Sequence, residues 1–202
     1  MFTPWIRIAL FITAALGGLF FTIGIFAPGW EITHQGMTLK GIWFILSCGK
    51  QSKSCEYQTY LEKYNQDKSS AHFSWVNEYE YSTAVGNQVL AIIALLSLYL
   101  GLFMSLVVTG VQRLANIAAF LAAPCYFTSA ALIWTHIGQE SAAMSAKNRI
   151  HFLEVSPEHQ LTPYSMVLCG FGSSLTVCVA IAYLISSVQY LMRIPMEKYQ
   201  QF

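Results

Sequence analysis

Hydrophobic residues gather in four runs, at 8–28, 85–111, 114–137 and 164–192, and none of the four contains Asp, Glu, Lys or Arg. A helix needs about 20 apolar residues to cross a hydrocarbon core of about 30 Å, so each run predicts a membrane span. Polar stretches at 30–83 and 138–163 predict two loops on one side of the membrane. A tight turn at Gln112-Arg113 and a tail at 193–202 fall on the other side. The first run ends in Ala-Pro-Gly-Trp and exceeds the roughly 7–15 residues of a signal-peptide core, so it is expected to be a retained span.

Within the long loop the period changes. Phe73, Trp75, Tyr79 and Tyr81 fall on one face of a two-residue repeat and Val76, Glu78 and Glu80 on the other, which predicts a strand over 73–81. A second strand is predicted over 37–45 after the turn-like Gln35-Gly36, and 151–155 offers another before Pro157 and Pro163. The fold class expected is therefore a four-transmembrane-helix bundle carrying a small extracellular antiparallel β-sheet.

Composition agrees: 55% of residues are hydrophobic and 10% charged. An ionisable side chain deep in a bilayer is costly and usually marks a transport path, so uncharged spans count against a pump, a secondary transporter or an intramembrane protease. His136 comes nearest to an exception, at a span end. Arg7, Arg113 and Arg193 flank the spans on the side of the tight turn, and no Lys or Arg lies within five residues of any opposite end. By the positive-inside rule both termini are cytoplasmic.

Small residues at four-residue spacing, Ala14 and Gly18, Ala119 and Ala123, Gly170 and Ser174, would let helices approach closely, within one chain rather than between chains. Pro124 is expected to kink the third span.

Five cysteines divide by position. Cys48 and Cys55 lie in the first loop with six residues between them, close enough for a local disulfide in an oxidising exterior. Cys125, Cys169 and Cys178 lie deep in spans, where a free cysteine acts as a small apolar residue. A metal or redox site would need more ligands or a C-x-x-C pair. The chain has neither, and it has no Ser-His-Asp motif or Asn-x-Ser/Thr sequon. No enzyme activity, cofactor or nucleic-acid partner is expected.

Trp30, then Gly41-Ile42-Trp43, then Cys48 and Cys55, in the first loop of a four-span chain of 202 residues, resembles the claudin and peripheral myelin protein superfamily, whose signature is W…G-L-W…C…C. Ile42 stands in the Leu position and four residues separate Trp43 from Cys48, which is more similar to divergent invertebrate members such as the nematode claudin-like proteins. The resemblance implies four strands from the first loop and one from the second, with Trp30, Gly41 and Trp43 anchoring the sheet against helix ends and the bilayer surface. It implies a plasma-membrane protein of cell–cell contacts that mediates adhesion or a paracellular barrier, associating laterally with itself or with claudin-like proteins on neighbouring cells. The alternative it implies is an auxiliary subunit of an ion channel or receptor. Glu56, next to Cys55, is similar in position to a cation-selecting acid of some members, and is otherwise an ordinary solvated loop acid.

Overall fold

The computed structural model describes residues 3–33, 38–48, 55–69, 75–111, 114–151 and 163–199. In chain order the elements are α1 (Pro4–Phe26), β1 (Glu31–Thr33), β2 (Thr38–Lys40), β3 (Phe44–Cys48), β4 (Cys55–Thr59), α2 (Tyr60–Lys68), α3 (Trp75–Gly110), α4 (Ala115–His151) and α5 (Tyr164–Tyr199). Four helical stretches, Pro4–Phe26, Tyr81–Gly110, Ala115–Ala142 and Tyr164–Met192, are long and apolar enough to cross a membrane, which by length and composition marks a multi-pass membrane protein.

The chain divides into two compact units. The first comprises residues 1–21, 93–133 and 170–202. Its described residues are nearly all helical, and its helices meet where side chains are smallest. A Cβ added to Gly172 on α5 would fall 2.5 Å from Gly17 O and 2.6 Å from Phe21 N on α1, so the two backbones touch. A Cβ on Gly18 would fall 3.0 Å from Leu102 of α3, and one on Gly101 of α3 would fall 2.8 Å from the Tyr126 ring of α4. Ala14, Ala119 and Ala123 are buried as their spacing predicts. On α5, Gly172 makes a close approach that the spacing did not single out. Ser174 is exposed and its hydroxyl donates to Gly170 O at 2.8 Å. A serine in an apolar helix can satisfy itself on its own backbone in this way without forming an interface. Helix α4 continues through Pro124.

The second unit comprises residues 22–92 and 134–169. Its sheet is antiparallel in the order β1-β2-β3-β4. Glu31 and Lys40 sit directly opposite on β1 and β2 and form an ion pair at 3.3 Å. The strand expected over 37–45 is instead two short strands. Gly41 N donates to Phe44 O at 2.8 Å, so Ile42 and Trp43 form the tip of a two-residue hairpin between β2 and β3. The β3–β4 hairpin is closed by a Cys48–Cys55 disulfide joining opposite residues. Four strands thus come from the first loop. Of the strand expected over 151–155, His151 ends α4 and the remainder lies outside the described residues.

The strand expected over 73–81 is not formed: residues 75–81 open α3, and 73–74 lie outside the described residues. Extending an existing helix adds one hydrogen bond per residue fixed and needs no new nucleus. The neighbouring span therefore propagated outward through the aromatic alternation. The same effect carries α4 past the expected span end at 137 to His151 and α5 past 192 to Tyr199.

Candidate functional site

Trp30, Gly41 and Trp43 of the W…G-I-W…C…C pattern converge in the second unit on the C-terminal end of α1. Helix α1 stops because Pro28 has no N–H with which to continue the ladder, and this leaves Gly24 O without its i+4 donor. Trp30 supplies the missing bond: its indole N–H donates to Gly24 O at 2.9 Å in a buried setting. Its backbone N–H donates to Lys40 O at 3.0 Å, extending the β1–β2 pairing by one residue. One tryptophan therefore terminates a helix and starts a sheet. The other face of its ring meets the imidazole of His136 on α4 at a centroid distance of 4.6 Å. His136 is buried, and its Nδ1 has no hydrogen-bond partner among the described residues.

Gly41 lies over the same helix end. A Cβ there would fall 3.2 Å from Pro28 Cα and 3.4 Å from Ala27 O, tighter than a side chain ordinarily allows. Trp43 stacks on Phe26 at 5.6 Å with an interplanar angle of 16°. The hairpin tip is tied down from outside the pattern by Gln88 of α3, whose Nε2 donates to Ile42 O at 3.1 Å, and by the Tyr60 hydroxyl, which donates to Gly41 O at 2.7 Å.

A serine joins this helix end to the start of α5. Gly29 N donates to Ser165 Oγ at 2.9 Å, the Ser165 hydroxyl donates to Ala27 O at 3.3 Å, and Ser165 N donates to Gly29 O at 3.3 Å. Orphan groups of two helix termini are thus satisfied by each other. A Cβ on Gly29 would collide with the Tyr164 ring, which would have to move aside for any larger residue.

Glu56 stands apart from this cluster, exposed on β4 opposite Ser47. The edge it occupies leads into α2, which sequence reasoning missed. The signal was present in Thr59-Tyr-Leu-Glu62, a capping box. Glu62 N donates to Thr59 Oγ1 at 3.2 Å, and Thr59 N donates back to Glu62 Oε2 at 2.8 Å. The Thr59 backbone N–H, and then its hydroxyl, hold the Glu62 carboxyl below the ordinary carboxylate range. Tyr64 of α2 stacks on Tyr81 of α3 at 4.5 Å, and Asn87 Nδ2 donates to Glu140 at 3.3 Å between α3 and α4.

Ser165, Gln88 and Tyr60 also escaped sequence reasoning, because isolated polar residues carry no periodic signal. The Pro28–Gly24 spacing held an unread signal, since a proline four residues on leaves a helix carbonyl without its donor. Among the described residues no three His, Cys, Asp or Glu side chains gather as a metal set. No protein-family description and no curated protein matches the chain. The arrangement is a disulfide-stapled sheet bonded to a helix end.

Proposed function

We propose that this chain is a claudin-like integral membrane protein of cell junctions, seated in the plasma membrane with both termini cytoplasmic. Its sheet faces outward and mediates adhesion or a paracellular barrier, by lateral self-association and by contact with claudin-like proteins on neighbouring cells. The observation that carries the reading is the convergence of Trp30, Gly41 and Trp43 on the end of α1, beneath a sheet stapled by Cys48–Cys55. A sheet held by directional bonds keeps its outer side chains in a fixed array, and recognition between cells requires that preorganisation. Glu56 is exposed beside the staple, and a carboxylate there would raise the local cation concentration of a narrow aqueous path that it lined.

The test is expression of a tagged chain in cells that lack junction strands, with imaging of contacts between expressing neighbours. Enrichment at contacts, lost when Cys48 and Cys55 are both replaced by Ser, is the expected result. Uniform surface staining without enrichment would sink self-adhesion and leave the role of an auxiliary channel or receptor subunit, read by detergent pull-down. In monolayers that do form contacts, Glu56→Gln is expected to lower cation relative to anion permeability. Unchanged selectivity would reduce Glu56 to a solvated loop acid.

A further inference from the structure

The imidazole of His136 has no part in the proposed function, yet it touches the residue that joins the sheet to α1. It is 3% exposed, and its ring lies 4.6 Å from that of Trp30 with an interplanar angle of 44°. Trp30 in turn bonds the end of α1 through Gly24 O and β2 through Lys40 O. A neutral imidazole can rest against an indole by packing alone. An imidazolium carries a charge and an N–H on each nitrogen, and both need partners when buried. Nδ1 has no partner among the described residues.

Few titratable groups surround the ring among those residues. Helix α1 carries none from residue 8 to Phe26, and α3 none from residue 82 to 92. The first turns of α5 offer a phenol and a thiol, Tyr164 and Cys169. Glu31, next to Trp30, is paired with Lys40 at 3.3 Å. Glu140 lies one turn beyond His136 on the same face of α4, half-buried, and accepts from the neutral Asn87 Nδ2 at 3.3 Å. A helical side chain leans toward the N-terminus, which aims Glu140 back over the turn that holds His136.

We propose that His136 and Glu140 form an acid-operated latch on the sheet: neutral, the imidazole packs against Trp30, and protonated, it turns along α4 to pair with Glu140 and uncovers Trp30. The pairing supplies the opposite charge and the acceptor that the place beside Trp30 lacks. Attraction of the cation to the indole opposes the turn, but a half-buried carboxylate one turn away outweighs a ring contact that leaves Nδ1 unsatisfied. Water then reaches the bond between Trp30 and Gly24, and β1 and β2 loosen from the end of α1. The latch is a property of the fold and holds whatever partner the sheet meets.

The experiment is hydrogen exchange on the full chain in lipid nanodiscs, with intrinsic rates divided out, at about pH 7.5 and about pH 5.5, on either side of the ordinary imidazole value of about 6.5. Uptake of one proton on opening changes the opening constant roughly tenfold over that interval, so protection of the β1 and β2 amides is expected to fall roughly tenfold in acid. His136→Phe keeps an aromatic ring beside Trp30 but cannot take a proton, and is expected to be equally protected at both values. Glu140→Gln leaves the neutral packing in place and is expected to match the parent at the higher value and to lose less at the lower, which keeps the test decisive if the ring replacement does not fold. Protection that does not change with pH in the parent would overturn the proposal. So would a fall as large in His136→Phe, which would assign the effect to His34, next to β1 in the sequence. A fall as large in Glu140→Gln would overturn the pairing on which the latch turns.

Discussion

The two units are held together by different physics. In the helical unit, backbones meet at Gly17 and Gly172, and much of the buried surface belongs to alanine, Ala118, Ala119, Ala122 and Ala123 among them. Its cohesion is distributed over many close van der Waals contacts, as expected where lipid offers no hydrophobic drive. In the sheet-bearing unit few strand side chains are buried, Ile32 and Ile45 being the main ones, and the structure rests on individual bonds: one disulfide, one indole N–H, one serine hydroxyl and one capping box. The helical unit should therefore yield mainly to added volume and the sheet-bearing unit to deleted partners.

The sharpest way to break the comparison is to add volume where backbones touch. Gly172→Leu must place its Cβ within 2.5 Å of Gly17 O and 2.6 Å of Phe21 N, and neither can swing away as a side-chain tip could. Overpacking against backbone is expected to cost about 3 kcal/mol or more. Gly110→Leu in the same unit meets nothing within 4 Å and is the control. Thermal unfolding and size-exclusion profiles in detergent should separate the two variants widely, and equal behaviour would refute packing by close approach.

Replacing both Cys48 and Cys55 by Ser is the corresponding deletion in the other unit. Opening a loop of about eight residues removes about 2.5 kcal/mol in the chain-entropy account. Hydrogen exchange should rise at the amides of β3 and β4 and stay unchanged in α4 up to residue 133 and in α5 from residue 170 onward. Equal acceleration in both units would mean that they unfold as one, and the division drawn above would fail.

Next in size is Trp30→Phe, which keeps an aromatic ring beside His136 but withdraws the donor from Gly24 O. A buried carbonyl left unsatisfied costs about 2 kcal/mol. Because the vacancy at Gly24 originates in Pro28, Pro28→Ala in the Trp30→Phe background supplies a backbone N–H at the i+4 position and should restore part of the loss. A double variant no more stable than Trp30→Phe alone would show that the indole N–H is not what matters.

These effects also explain what could be seen in the sequence. The four helices were legible because a bilayer-length apolar run leaves the backbone little choice. The staple was legible because two cysteines fall close together in one loop, whereas Trp30, Gly41 and Trp43 were singled out only through the family resemblance. What misled was period alone. Tyr79 and Tyr81 alternate as a strand would, but they adjoin a helix that lengthens at no nucleation cost, and the described sheet has no partner strand for them. Ser165 bonds to Gly29 across 136 positions, and no local pattern encodes such a pair.

The smallest effect is expected at α2, and it carries a pH signature. Thr59→Ala removes the N-cap and should cost about 1 kcal/mol of local helix stability. The Glu62 carboxyl titrates below its ordinary 4.5 in the folded chain because the ionised form accepts from Thr59. Its contribution is therefore fully present at neutral pH. It is lost as pH falls from 4.5 through the lower folded value, since the unfolded chain binds its proton first. Exchange protection of α2 amides should accordingly hold above pH 4.5 and drop as the pH falls below it. In Thr59→Ala the protection should start lower at neutral pH and fall less with acid, because the hydroxyl that helped stabilise the carboxylate is gone. A variant with the same acid slope as the parent would place the pH dependence elsewhere, and α2 would then owe its position to the Tyr64–Tyr81 stack rather than to its cap.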